Sequence, residues 1–202
     1  MRSNKSLATA CIAIGLTACV WAAPAAQVVE GTNRPAPAVD IDNFGRVNDV
    51  YYRGAQPSER DYARLKAFGI ATVIDLQADG HRKEPARVEA AGMKFYRIPM
   101  TTRVPPTPEQ IAQFLALVSD PANQPVYVHC AGGRHRTGLM TAIHRMTAEQ
   151  WTADQAFQEM KQYKFGADFL HPEFKRFVYA YPTAASIVSP GKATGAARTL
   201  TQ

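Results

Sequence analysis

Short apolar runs alternate with amphipathic stretches along the middle of the chain, and the alternation predicts strands joined by helices. Ser58 to Phe68 reads as a helix, with Ser58 as cap, Asp61 three residues on and Gly69 as stop. Ala71 to Leu76 is a short apolar run suited to a buried strand, Glu84 to Ala91 a second helix stopped by Gly92, and Met93 to Ile98 a second strand. Thr107-Pro108-Glu109-Gln110 starts another helix: Thr caps, Pro takes the first position, and Gln stands in the reciprocal place. Ile111, Phe114, Leu115 and Val118 then follow helical spacing. Pro125 to His129 is a third strand, and Leu139, Met140, Ile143 and Met146 mark the helix after it. Thr152 with Gln155 caps a further helix that buries Phe157 and Met160, and a last one starts near Pro172. Strands linked by helical crossovers imply an α/β fold with a central, mostly parallel sheet flanked by helices on both faces.

The ends break the pattern. The first 26 residues hold no acid; Arg2 and Lys5 precede a short apolar stretch, Leu7 to Leu16, and small residues follow through Ala26. That is the layout of a secretory signal, too short for a membrane span. Ala23-Pro24-Ala25 offers a small-x-small cleavage site, while Leu16-Thr17-Ala18-Cys19 resembles a lipobox in which Cys19 would carry a lipid anchor. The expectation is an exported protein, periplasmic or lipid-anchored at the membrane. Residues 27–43, with Pro35 and Pro37, read as a linker, 44–181 as the folded domain, and 182–202, poor in large apolar residues, as a disordered tail.

The full chain has 202 residues and net charge +6; without Arg2 and Lys5 it holds 21 basic against 17 acidic residues. This mild bias suits anionic substrates. It is too scattered for nucleic acid, and no basic run is interleaved with aromatics.

Cysteine usage sharpens the picture. Cys11 and Cys19 fall in the leader, so the body carries one thiol, Cys130. Such a thiol in an oxidising compartment fits chemistry rather than a disulfide. It stands in His129-Cys130-Ala131-Gly132-Gly133-Arg134-His135-Arg136-Thr137-Gly138, between a strand and a helix. Ligands of such sheets bind beyond the carboxyl ends of the strands. Gly132 and Gly133 allow main-chain N–H groups of residues 131 to 135 to turn inward, forming an anion nest at a helix N-terminus. Arg136 adds a planar fork for two phosphoryl oxygens. A cysteine in that field is favoured as thiolate. It would attack phosphorus, form a phosphocysteine and be released by water, with Thr137 bonding the departing sulfur and His129 orienting the loop. His135 reads as a loop brace. His129, Cys130, His135 and His144 have no common metal-site spacing, so no metal or other cofactor is expected.

The motif resembles the active-site loop of cysteine-based protein tyrosine phosphatases. It is most similar to the atypical dual-specificity phosphatases of plants and fungi, whose loop reads His-Cys, two variable residues, then Gly-Lys-His-Arg-Thr-Gly; here Arg134 replaces the lysine. Weaker likeness runs through Asp120 to Pro125, Tyr52 to Pro57 and Lys94 to Met100. The resemblance implies a tyrosine-phosphatase-like fold, no metal, and a phosphorylated protein or small phosphorylated metabolite as partner. The substrates implied are phosphotyrosine-type or phosphoinositide-type, and some members of the group act on inositol pyrophosphates.

One departure stands out. The superfamily places a proton-donating aspartate on a movable loop, which falls here between Ile98 and Pro108. Residues 99–107 contain no acid. Glu109, Asp79, Glu84 and Asp168 remain candidates, each with a structural or solvated role as the plainer reading. The missing acid leads us to expect a preference for leaving groups that need little protonation. Arg53, Arg82, Lys83 and Arg103 are candidates for lining a cleft for extra phosphates, and Asp75 for holding Arg136. Two rival readings stay open: a sulfur-transfer or arsenate-reducing enzyme on a similar loop, and a phosphate-binding module without turnover.

Overall fold

Alternation of side chains along the central strand sets the two faces of the molecule. A computed structural model describes residues 38–182. The chain runs β1 (Gly45–Asn48), β2 (Tyr51–Ala55), α1 (Glu59–Phe68), β3 (Thr72–Gln77), α2 (Glu84–Ala90), β4 (Lys94–Met100), α3 (Pro108–Ser119), β5 (Val126–Cys130), α4 (Arg136–Ala148), α5 (Ala153–Gln162) and α6 (Pro172–Ala180). The sheet order is β1-β2-β5-β3-β4. Only β1 pairs antiparallel; β2, β5, β3 and β4 are parallel, with Ala55 opposite Cys130 and Asp75 opposite His129.

β5 is buried at every residue, as expected of a central parallel strand. Val126, Val128 and Cys130 face a core completed by Ile74, Leu76, Phe114, Leu139, Ile143 and Phe174. Tyr127 faces the opposite core, with Tyr62, Leu65, Val73 and Val88. The period of two thus places Cys130 on the side covered by α4, which is buried continuously from Arg136 to Met146.

Three helix starts follow the cap signals. Asp61 accepts from the Ser58 amide at 2.8 Å and its hydroxyl at 2.6 Å. Thr107 and Gln110 bond each other reciprocally at 2.9 and 3.3 Å, and Thr152 and Gln155 at 2.9 and 3.2 Å. Gly69 ends α1 at φ 109°. The β1–β2 hairpin, by contrast, lies where the hydrophobic pattern predicts no element.

The expected linker ends too late. Ile41 is buried in the second core, the Asp42 carbonyl accepts from the Ala55 amide at 2.9 Å, and Asn43 reaches the loop after β5. Residues 41–43 therefore belong to the domain: Ile41 supplies core area that the surrounding prolines and polar residues conceal. The expected leader, Cys11, Cys19 and nearly all of the expected tail lie outside the described residues. Among the described residues no helix is long and apolar enough to cross a membrane.

Candidate active site

β5 delivers Cys130 to the carboxyl edge of the sheet, and the chain turns there for five residues before α4 begins. Each of the first three loop carbonyls is taken from outside. The Gln56 amide donates to the Ala131 carbonyl at 3.2 Å, Asn43 Nδ2 to Gly132 at 3.0 Å, and Arg53 Nη2 to Gly133 at 2.8 Å. A trans peptide points its N–H opposite its C=O. The N–H groups of Gly132, Gly133 and Arg134 are thereby turned to the inner side, toward the cavity. Gly133 has φ 64°, and a Cβ there would lie 2.4 Å from the Gly54 carbonyl, so only glycine fits. Gly132 is less constrained: its Cβ would meet the Arg134 side chain at 3.4 Å.

Cys130 is 3% exposed and opens on a cavity of about 170 Å³ lined by Thr102, Cys130, Ala131, Gly132, Arg134, His135 and Arg136. A second cavity, about 220 Å³, shares Thr102 and Arg136 and adds Asp79 and Met100. Arg136 joins the two. Its Nη1 donates to the Met100 carbonyl at 3.1 Å and to Asp79 Oδ1 at 3.3 Å. Its Nε is buried with no partner, which leaves that edge of the fork for an incoming oxyanion. α4 starts at His135 with no side-chain cap, so its first amides also remain available to an anion. The Thr137 hydroxyl is fully buried and unpartnered.

His135 lines the cavity and also contacts the segment before α6. Its Nε2 lies 3.0 Å from the Phe165 carbonyl and its ring 3.8 Å from that of His171. Burial, then the charge of His171, lowers its pKa from the usual imidazole value. Arg134 is half-exposed, 3.6 Å from Asp42.

His129 lies on the other face of β5, wholly buried. Its Nε2 is 3.0 Å from Glu84 and its Nδ1 3.9 Å from Asp75. Burial works against the Glu84 carboxylate, yet bonds from His129, Gln56 and Tyr62 hold its pKa below the usual carboxylate value. Burial pushes Asp75 up. These three residues come close enough to suggest a metal cluster. Arg97 already supplies the cation there, 2.8 Å from Asp75 and 3.6 Å from Glu84. Asp75 therefore holds Arg97 and not Arg136. Its register opposite His129, on the face away from α4, explains the difference.

The structure separates the remaining candidates. Arg53 lies under the loop, fully buried, and does not line a cleft. Arg82, Lys83 and Arg103 are exposed. Asp168 is paired with Lys161 and Lys175, both at 2.7 Å, and Glu109 is exposed at the start of α3. Asp79 is the acid that reaches the site. Its pKa is lowered by its own backbone bond and by Arg136, so it is ionised at neutral pH. Asn43, Arg53 and Gln56 were missed as loop-holding residues because their partners are main-chain oxygens remote in sequence; the one trace was the likeness at Tyr52 to Pro57.

Comparison with known proteins agrees with this geometry. A family model described as the DSP-PTPase phosphatase fused to NAD+ kinase matches residues 36–175. Inositol diphosphatase DSP2 of Oryza sativa subsp. japonica is 27% identical over 150 residues, 71% of this chain and 71% of that protein. Dual specificity protein phosphatase TpbA of Pseudomonas aeruginosa is 28% identical over 138 residues, 67% of this chain and 62% of that protein. Among solved structures, the core catalytic domain of the PP-IP phosphatase SIW14 from S. cerevisiae shares the fold, with TM-score 0.63 and 23% identity over 70% of this chain and 87% of that one. A variant of P. aeruginosa TpbA in complex with pTyr gives TM-score 0.60 and 25% identity over 81% of this chain and all of that one. With the match spanning most of the folded domain, the chain belongs to the cysteine-based tyrosine phosphatases of the dual-specificity (DSP-PTPase) type.

Proposed function

We propose that this chain hydrolyses phosphate esters or phosphoanhydrides through a phosphocysteine on Cys130. The observation that carries the reading is the three loop carbonyls bound from outside, which leave their amides facing the cavity beside Cys130 and the unpartnered Nε of Arg136. The Cys130 thiolate attacks phosphorus; the S–P bond forms as the bond to the leaving oxygen breaks. Loop amides and Arg136 hold the equatorial oxygens. Water then attacks, the S–P bond breaks, inorganic phosphate leaves, and the water proton passes to solvent. Thr137, buried and free, is placed to bond the departing sulfur.

The substrates are those whose leaving oxygen departs without a proton: aryl phosphates such as phosphotyrosine, and inositol pyrophosphates. A relative named as an inositol diphosphatase and the pTyr complex of the TpbA variant support the two classes. So does the acid-free loop over residues 101–107. Asp79, held ionised by Arg136, is a poor proton donor. General-acid catalysis contributes about 10²–10⁴-fold, so a phosphoserine peptide is expected at least about 100-fold poorer in kcat/KM than a phosphotyrosine peptide. Comparable values for the two would refute the leaving-group argument. Release of phosphate from para-nitrophenyl phosphate by the wild type and its loss in Cys130→Ser test the mechanism itself.

The leader pattern supports export as a periplasmic or Cys19-anchored protein. Intact mass of the mature chain separates cleavage near Ala25, lipidated Cys19 and an uncut leader, the last of which would reject the proposal.

A further inference from the structure

Arg53 is more costly than its visible task requires. The Gly133 carbonyl needs one N–H donor, and a neutral amide would serve. Instead a guanidinium is fully buried there, under the loop, with Nε and Nη1 both lacking partners. Among the described residues it forms no ion pair. Its guanidinium carbon lies over the Tyr163 ring, 3.9 Å from the centroid. A buried cation without an anion is strongly unfavourable.

We infer that Arg53 is a second cation of the phosphate site, a positioning residue whose buried charge is balanced by the anion that the site takes up. This rests on the phosphatase reading above. Two routes carry the effect. Directly, the guanidinium field favours negative charge on Cys130 and on a bound phosphoryl group. Through the backbone, a cationic donor on the Gly133 carbonyl polarises that peptide unit, so the Arg134 N–H at its other end becomes a better donor to the anion. Burial lowers the Arg53 pKa, and the Glu159 carboxylate opposes the shift. Glu159 is not a dedicated partner: its carboxylate is held by Arg145 at 2.7 Å. By linkage, whatever the anion contributes to keeping Arg53 charged, Arg53 returns to the anion.

The other charged and titratable groups around Cys130 stay constant in the test: Arg134, His135 and Arg136 line its cavity, Asp79 after β3 bonds Arg136, and Tyr127 and His129 lie on the opposite face of β5. The readout is alkylation of Cys130 in the full-length chain, which does not depend on turnover. Arg53→Gln keeps a donor for Gly133 without the charge. It is expected to raise the pH midpoint of iodoacetamide alkylation by about one unit. It is also expected to raise the inorganic phosphate concentration that half-protects Cys130 by about tenfold. Arg53→Lys keeps the charge and is expected within about 0.3 unit and about threefold of wild type. Arg53→Gln matching wild type in both readouts, or Arg53→Lys shifting as far as Arg53→Gln, overturns the inference. If Arg53→Gln does not fold, Arg53→Lys decides alone: a shift of about one unit overturns it. Failure of wild type to hydrolyse para-nitrophenyl phosphate would instead remove the phosphatase reading, with the alkylation result still interpretable.

Discussion

Gly132 and Gly133 look alike in the sequence, and the structure sets them apart. Gly133 sits in the left-handed region, with its missing Cβ 2.4 Å from the backbone of Gly54, which cannot yield as a side chain would. Gly133→Ala should therefore destabilise the protein by about 2–4 kcal/mol and move the loop. Gly132→Ala, meeting only the flexible Arg134 side chain, should fall within about 1 kcal/mol of wild type. Urea unfolding of the two variants checks the contrast; equal losses would mean that the clash at Gly133 is relieved elsewhere. Asp79 gives a second residue-scale expectation. It shares Arg136 Nη1 with the Met100 carbonyl, so Asp79→Asn should leave the guanidinium in place and lower kcat/KM by about tenfold or less. A fall of about 10³-fold would instead make Asp79 a proton donor. That Cys130 and Arg136 share one cavity was legible because the two stand six positions apart across one loop. Asn43 and Arg53 were not, because each acts on a carbonyl 80 or more positions away that only folding brings near.

At the scale of elements, legibility tracked where the hydrogen bonds go. Caps close within four residues, so Thr107-Gln110 and Thr152-Gln155 are readable in advance, and both boxes form. The β1–β2 hairpin closes on itself but is held to the sheet by β5, and nothing within Gly45 to Ala55 announces that partner. Pattern also misplaced the start of the domain, since Ile41 is one apolar residue among polar ones. Thr107→Ala and Thr152→Ala should each cost about 1 kcal/mol. The two differ in reach. Gln110, the reciprocal partner of Thr107, also donates to the Pro99 carbonyl at 2.7 Å, so the box anchors both ends of the loop over the cavity. Thr107→Ala should lower kcat/KM as well as stability, while Thr152→Ala, at the start of α5, should lower stability alone. Melting curves beside steady-state kinetics on an aryl phosphate separate them; an equal kinetic effect would show that the loop is held by other contacts.

At the scale of the whole domain, buried and half-buried titratable groups dictate the response to acid. Burial lowers the pKa of His144, and burial with the charge of His171 lowers that of His135, both below the usual imidazole value of 6.5. A group with a depressed pKa in the folded state takes up its proton more readily when unfolded. Stability from these two is thus present above about pH 6.5 and falls as pH drops, by at most about 1.4 kcal/mol per pH unit for each proton. Glu84 and Glu149, both held low by their partners, add a second loss below the usual carboxylate value of 4.5. Asp75, pushed up by burial, runs the other way and offsets part of the loss above its usual value of 3.8. The two stages predict that the melting temperature declines already from pH about 7.5 to about 5.5, before Glu84 or Glu149 titrates. His144→Gln removes one of the two imidazoles at a position remote from Cys130. It should flatten the decline without moving the pH profile of catalysis, which the loop and its cations set. A wild-type melting temperature constant over that interval would show that these two imidazoles accept protons as easily folded as unfolded.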